Sequence, residues 1–163
     1  MNIINGKKTW VFGDNINTDI ISPPQYMDLS IEEASAYSMM AVDKVFAKKC
    51  KEGDIFVAHK NLGSGSSRET SPLTLKHLGI KAVIAESFAR IFYRNCINLG
   101  IPVIECADVK KINANDVISI DIENGIITNQ TSGEIYACSK IPSNVYEIIQ
   151  CGGLINFLQG EFR

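Results

Sequence analysis

The feature that most constrains the fold is a turn rich in glycine and serine, residues 61–69. It follows an apolar run at residues 55–58, which predicts a short buried strand, and it precedes residues 72–79, which predict a helix ending at a glycine. The stretch therefore predicts a strand-to-helix turn. Gly63 and Gly65 permit positive φ angles and a close backbone approach to a ligand. The N–H groups at the start of the following helix favour a carboxylate or a phosphate.

Arg68, at the end of this turn, carries a planar fork of donors that matches a carboxylate. The same residues also fit the S-x-x-E pattern of a capping box, in which Ser66 and Glu69 satisfy each other's backbone N–H groups. From the residues alone, a plain helix cap with incidental anion affinity is favoured, and the glycines, serines and arginine together make a ligand site a competing interpretation. The lysine of a P-loop and the final glycine of a G-x-S-x-G elbow are both missing.

Strand-like and helix-like segments alternate from residue 54 to residue 105. Residues 81–86 and 101–105 predict strands, and residues 87–99 predict a helix that ends at Gly100. This alternation predicts a parallel βαβ layer, in which ligands bind near the carboxyl ends of the strands. The turn at residues 61–69 lies at such an end.

The last third of the chain has a different pattern. Residues 118–122 alternate between apolar and polar, and the pair Asn124-Gly125 is a hairpin signal before the strand-like residues 126–128. These features predict an antiparallel meander, followed by short helices at residues 143–150 and 154–158. A length of 163 residues with 45% hydrophobic composition favours one domain over residues 1–163. The predicted fold class is α/β, a βαβ layer with an added antiparallel β meander.

The first third supplies two loops and a helix. After a predicted strand at residues 8–12, Asp14 and Asp19 lie in a polar loop, where ordinary Asx turns are favoured over a cation site and Asp19 could also orient an arginine such as Arg68. Two prolines stiffen the next loop, and Ser30 with its following residues resembles a capping box. A helix is predicted from residue 31 to about residue 51.

Composition excludes several classes of function. The net charge of −2, with both signs interspersed, gives no reason to expect a nucleic-acid or membrane partner, and no window approaches the length of a membrane span. We expect a cytoplasmic protein. The five scattered cysteines and the two distant histidines suggest neither a disulfide framework nor a metal motif. Arg90 and Arg94, one helical turn apart, are either solvated charges or partner contacts, and the solvated interpretation is favoured.

Three segments together resemble the small subunits of 3-isopropylmalate dehydratase and their relatives in the aconitase family: residues 13–23, 61–69 and 86–95. The resemblance implies a swivelling β/β/α domain made as a separate polypeptide. It also implies a heteromeric hydro-lyase that interconverts 2-isopropylmalate and 3-isopropylmalate by dehydration and rehydration in leucine biosynthesis. The four-iron four-sulfur cluster of such an enzyme would lie on the large subunit, and this chain would bind no cofactor or metal. Self-association of the isolated subunit is left open.

The resemblance also implies roles for individual residues. Ser66 resembles the serine that removes the proton α to a carboxylate, Ser67 and Arg68 resemble substrate-carboxylate binders, and Asp19 matches an active-site aspartate. The corresponding substrate-specificity loop comprises Tyr26, Met27, Asp28, Leu29 and Ser30.

One position of this loop departs from isopropylmalate-specific relatives, because Asp28 stands where they often have an arginine. The small subunit of 2,3-dimethylmalate dehydratase or of homoaconitase is therefore the alternative within the family. Outside it, the alternative is a module that binds an anion or a partner without catalysis.

Overall fold

The chain begins with two short strands that enter different sheets. In the computed structural model, which describes residues 2–161, β1 (Ile3–Asn5) joins an antiparallel sheet and β2 (Thr9–Val11) joins a parallel one. The parallel sheet has the order β2-β3-β4-β5, with β3 (Ile55–Val57), β4 (Ala82–Ala85) and β5 (Val103–Glu105). The antiparallel sheet has the order β1-β6-β7-β8, with β6 (Ile118–Asp121), β7 (Ile126–Asn129) and β8 (Ile135–Ala137).

The helices are short. They are α1 (Thr18–Ile21), α2 (Ile31–Ser35), α3 (Phe46–Lys49), α4 (Thr70–His77), α5 (Arg90–Asn98), α6 (Ser143–Gln150) and α7 (Leu154–Glu161), with 3-10 turns at Pro24–Tyr26 and Val109–Lys111. Helices α1 to α5 lie between strands of the parallel sheet, and α6 and α7 follow the last strand. Within residues 2–161, none of these helices has the length and apolar composition needed to cross a bilayer.

Successive residues of the parallel sheet face two separate apolar cores. Phe56 of β3 packs in one core with Leu75 of α4 and Phe92 of α5. Its neighbours Ile55 and Val57 pack in the other core, with isoleucines of the antiparallel sheet. Because side chains alternate across a strand, the parallel sheet separates a helical layer from the antiparallel sheet. The predicted α/β fold with β/β/α layers and an antiparallel meander is confirmed.

The strand order explains why the helices share one face. The parallel strands follow one another in chain order, so each crossover moves in the same direction across the sheet. Crossovers between parallel strands are almost always right-handed, and α4 and α5 therefore lie on the same side. The other side is left free for the antiparallel sheet.

The predicted long helix from residue 31 to about residue 51 is wrong. The chain forms α2, a series of turns and then α3. Met39 has a left-handed φ of 64°, which interrupts a right-handed helix, and the Ser38 hydroxyl donates to the Ile21 carbonyl at 2.8 Å. The carboxylate of Asp43 accepts hydrogen bonds from two backbone N–H groups and starts α3 separately.

Several other elements that were predicted from short sequence patterns are present in the structure. The meander and the helix at residues 143–150 are confirmed, and the hairpin glycine, Gly125, has a φ of 70°. Ser30 caps α2 as predicted, with its hydroxyl accepting from the Glu33 N–H at 3.1 Å. The sequence did not predict β1, because its three residues are too few to show a period of two.

Candidate functional site

Three loops meet at the carboxyl edge of the parallel sheet. They follow β2, β3 and β4, and backbone hydrogen bonds join them: Asn15 N–H donates to the Lys60 carbonyl at 2.8 Å and Glu86 N–H donates to the His59 carbonyl at 3.0 Å. Leu62 continues the strand pairing beyond β3, since it forms an isolated parallel bridge with Phe88. The turn of residues 61–69 is thereby fixed between its two neighbours.

Gly63 is the closest point of this packing. Its φ is +87°, and a Cβ atom there would lie 2.1 Å from Cγ of Phe92 on α5. Its N–H donates to the Ile16 carbonyl at 2.7 Å, and the carbonyl of the next residue, Ser64, accepts from the Thr18 N–H at 2.9 Å. Only glycine can bring the turn this close both to α5 and to the loop that precedes α1.

Ser66 does not cap a helix, so the predicted capping box with Glu69 is wrong. Its exposed hydroxyl accepts from the backbone N–H of Arg68 at 3.2 Å and from the Arg68 Nε–H at 3.1 Å. Helix α4 starts later, at Thr70. A start at Ser66 would put Pro72 in the helix interior, where its ring would clash with the carbonyl four residues earlier and its missing N–H would break the hydrogen-bond ladder.

Arg68 also contacts Asp19, and this pair joins two of the three loops. The Arg68 Nη2 atom forms an ion pair with Asp19 Oδ1, as the sequence suggested when it allowed Asp19 to orient this arginine. The Arg68 side chain is 21% exposed and that of Asp19 is 57% exposed. Asp19, Ser66 and Arg68 therefore form one bonded group that opens to solvent.

Ser67 lies beside this group and is exposed. Its carbonyl accepts from the Asn95 side-chain amide at 3.3 Å, which ties the turn to α5. The sequence did not single out Asn95. Its place one residue after Arg94 in the segment that carries the family resemblance was the available signal.

The predicted specificity loop divides into two parts. Tyr26, Met27 and Leu29 line a pocket that Arg68 also lines, and Tyr26 is fixed by stacking on Tyr37 with ring centroids 3.8 Å apart. The remaining lining residues are Ser22, Pro23, Ile31, Ala34, Thr70 and Thr74.

Asp28 and Ser30 do not line this pocket. The Ser30 hydroxyl is used at the start of α2, and Asp28 is exposed. The acidic residue at the tip therefore contributes nothing to the pocket beside Arg68.

Two hydroxyl groups near the site are buried and unsatisfied. Neither Thr18 Oγ1 nor Thr70 Oγ1 has a hydrogen-bond partner among residues 2–161. Thr70 lines the pocket, and the hydroxyl of Thr18 lies 3.3 Å from the position that a Cβ of Gly65 would occupy. Leaving a buried hydroxyl unpaired costs about 1–3 kcal/mol. Both hydroxyls therefore have unused hydrogen-bonding capacity beneath the surface of the site.

Asp14 fixes the start of the turn that follows β3. Its carboxylate accepts from the Lys60 N–H at 2.9 Å, and this hydrogen bond lowers the pKa of Asp14. Across the described residues, no three His, Cys, Asp or Glu side chains come together in a way that could hold a metal ion. The cysteines are dispersed, with Cys96 and Cys106 buried and Cys151 exposed.

Comparisons with known proteins identify the family of the chain. The family profile described as the aconitase C-terminal domain matches residues 10–109, which include all of the parallel sheet except Thr9, and all three loops. The chain is 49% identical to a 3-isopropylmalate dehydratase small subunit of Nautilia profundicola, over 96% of this chain and 95% of the relative. It is 48% identical to an isopropylmalate/citramalate isomerase small subunit of Methanocaldococcus jannaschii, over 96% and 94%.

A crystal structure described as 3-isopropylmalate dehydratase from Methanocaldococcus jannaschii superposes with a TM-score of 0.92 at 40% identity. The match covers 99% of this chain and 96% of the other. Fold, length and sequence therefore agree along the whole chain and not only at the site. The chain belongs to the aconitase family and, within it, to the small subunits of 3-isopropylmalate dehydratase.

Proposed function

We propose that this chain is the small subunit of a heteromeric hydro-lyase that interconverts 2-isopropylmalate and 3-isopropylmalate, a reaction of leucine biosynthesis. Ser66 is the base that removes and returns a proton at the carbon α to a carboxylate. Ser67 and Arg68 bind the substrate carboxylate, and Asp19 holds Arg68. The observation that carries the proposal is the Ser66 hydroxyl, which is exposed and accepts two hydrogen bonds from Arg68 in place of capping a helix. A cytoplasmic location and a single domain are part of the same proposal.

The environment of Ser66 supports a role as a base. A serine hydroxyl is a very weak acid in water, so its alkoxide needs preorganised donors and a site without bulk water. The Arg68 N–H and Nε–H supply two donors at 3.2 and 3.1 Å, and the guanidinium adds a positive charge. Asp19 accepts from Nη2, which leaves the remaining guanidinium hydrogens free for a substrate carboxylate.

The open site requires a second protein. Ser66 and Ser67 are exposed, and water would quench an alkoxide there. The relatives are named small subunits, and we infer that a large subunit of the aconitase family covers this face. An iron–sulfur cluster on that subunit would act as a Lewis acid on the hydroxyl that leaves. The residues of this chain bind the substrate, orient it and move the proton.

The pocket beside Arg68 favours a substrate with an alkyl group. Met27, Leu29 and Ile31 contribute apolar surface, and Arg68 is the one cationic residue of the lining. The isopropyl group of isopropylmalate matches the apolar character of this surface, and so do the methyl groups of citramalate and dimethylmalate. A homoaconitase substrate carries a further carboxylate, and the pocket offers it no second cation. The relative named for both isopropylmalate and citramalate makes citramalate the second candidate.

The test is anaerobic reconstitution with the purified cognate large subunit. We expect Ser66→Ala to lower turnover by about 10²–10⁴-fold, the range for removal of a general base. Ser64→Ala is the matched control, since it removes a hydroxyl from the same turn and should leave turnover within a few-fold of wild type. Equal turnover of Ser66→Ala and wild type would disprove the assignment of the base. Absence of turnover by the wild-type pair on a panel of hydroxy-dicarboxylates would favour a non-catalytic binding module.

A further inference from the structure

Helix α5 carries a solvent-facing surface that the site chemistry does not use. Arg90, Ile91 and Arg94, here called the α5 surface, fall within about 100° of the helix circumference at 100° per residue. All three side chains are exposed, and Ile91 is 50% exposed although it is a large apolar residue. The opposite face of the helix buries Phe92 and Cys96 in the core. The outward face is therefore not needed for folding.

The two arginines have no acidic partner within the described part of the chain. Neither Arg90 nor Arg94 takes part in any of the ion pairs found there. Glu105 lines the same shallow depression as Arg90 but lies beyond ion-pair distance. The chain as a whole has a net charge of −2, so two unpaired positive charges beside an exposed isoleucine form a local exception. The two positive charges match acidic groups on a partner, and the exposed isoleucine matches an apolar group. Arginine is also enriched at protein interfaces.

The α5 surface is continuous with the open side of the candidate site. Asn95, which follows Arg94, donates to the Ser67 carbonyl at 3.3 Å. Asn95 is also one helical turn from Ile91, so the surface begins at the edge of the exposed serines. A protein that covered Ser66 and Ser67 would meet α5 next.

We infer that the α5 surface is a docking site for the large iron–sulfur subunit, whose facing surface carries carboxylates opposite Arg90 and Arg94 and an apolar contact for Ile91. This inference rests on the proposed function, since it takes the large subunit as the occupant. In this arrangement, assembly of the two subunits is guided by charges that lie outside the group of Asp19, Ser66 and Arg68. Charges at the rim of an interface act mainly on the association rate and on its salt dependence.

The experiment compares two charge-reversed variants of equal net charge. R90E/R94E changes the α5 surface, and K48E/K49E places the same charge change on the exposed lysines of α3. Binding to the purified cognate large subunit is measured by surface plasmon resonance at low and moderate salt. Turnover is measured over a range of large-subunit concentrations. We expect R90E/R94E to lower the association rate at least tenfold and to flatten its salt dependence, while K48E/K49E stays within twofold to threefold of wild type.

Turnover separates docking from chemistry. At saturating large subunit, R90E/R94E should recover most of the wild-type turnover, since neither arginine touches the reacting group. Unchanged association rates would overturn the inference, and so would a turnover deficit that saturation does not relieve. If wild type neither binds nor activates the large subunit, the proposed function fails first.

A second pair of variants covers a folding failure of the first. Ile91→Asp should weaken binding at least tenfold, and Ile135→Asp, at a 68% exposed position on the outer face of β8, should not. Circular dichroism establishes that each variant is folded. Sedimentation of the isolated chain tests whether a second copy of this chain occupies the α5 surface instead. If the isolated chain self-assembles, and Ile91→Asp dissociates that assembly without weakening binding to the large subunit, the α5 surface is a contact between copies and the inference is overturned.

Discussion

Replacement of Gly63 by alanine tests whether the close contact between the turn and α5 controls both stability and the site. A methyl group at this position would lie 2.1 Å from Cγ and 2.3 Å from Cβ of Phe92. Phe92 is 2% exposed and belongs to the core on the helical side of the parallel sheet, so a shift of its ring must displace other core side chains. The clash therefore falls between a backbone turn and a fixed side chain, and one of them must shift.

The expected loss of unfolding free energy in Gly63→Ala has two parts. Alanine in a left-handed conformation costs about 1–2 kcal/mol, partly offset by about 0.4–1 kcal/mol because the unfolded chain loses freedom. Overpacking against Phe92 adds about 1–3 kcal/mol. Gly133→Ala is the matched control, since Gly133 has a φ of +80° and no heavy atom within 4 Å of the added Cβ. We expect a loss of about 2–4 kcal/mol for Gly63→Ala and about 0.5–1.5 kcal/mol for Gly133→Ala.

The assay is urea unfolding followed by circular dichroism, with the melting temperature as a second measurement. For a chain of this length each kcal/mol corresponds to about 2–4 °C. In the reconstituted enzyme, Gly63→Ala should also lower turnover, because Ser66 and Arg68 lie a few residues along the same turn. A Gly63→Ala protein as stable as Gly133→Ala, to within about 0.5 kcal/mol, would refute the steric argument.

Three further predictions concern the ion pair, the thiols and the pocket. Asp19→Asn should change the unfolding free energy by less than about 1 kcal/mol, since the carboxylate is more than half exposed. It should raise the KM for the hydroxy-dicarboxylate about tenfold, because Arg68 loses its orienting partner. A large stability loss with an unchanged KM would contradict this prediction. Burial raises the pKa of Cys50 and of Cys138 to about 12 and raises the pKa of Cys96 as well, so a disulfide reagent at pH 8 should modify the exposed Cys151 first and Cys96 only on unfolding. The same raised pKa values mean that the folded chain keeps thiol protons that the unfolded chain releases, so this contribution to stability is complete below about pH 9 and should decline towards about pH 12 in an alkaline titration of unfolding. Ala34→Leu narrows the pocket, so it should lower kcat/KM for 2-isopropylmalate several-fold more than for citramalate. Ala34→Ser is the control, because serine is similar in size to alanine. An equal effect on both substrates would place the alkyl group outside this pocket.

The parts of the fold that depend on near neighbours could be predicted from the sequence. Asn124 and Gly125 specify a hairpin through backbone angles that few other residues adopt, and Ser30 specifies a helix start through a hydrogen bond three residues away. The strands and helices of the parallel layer were likewise marked by the spacing of apolar residues within each segment. Each of these signals is complete within a few residues.

Other parts depend on contacts between distant residues. The break in the predicted long helix involves Ser38, which bonds to Ile21 in a different segment. The contact between Asp19 and Arg68 joins residues 49 positions apart. The residue types made this pair one option among several, and the family resemblance placed both residues in one site. The start of α4, by contrast, could have been predicted from nearby residues. Pro72 excludes a helix that starts at Ser66, because its ring would clash inside such a helix.

The pairing of β1 with β6 sets the order in which the layers can be completed during synthesis. Ile3 is paired with Asp121, so the first strand has no partner until more than a hundred further residues have been made. Meanwhile β2 to β5 can assemble in the order of their synthesis, with the face of Ile55, Val57 and Ile84 still without its cover. We expect pulsed hydrogen exchange during refolding to protect β3 and β4 before β1. A nascent chain of this protein would then carry a finished set of site loops on a layer whose other side stays a bare apolar surface until the meander is made.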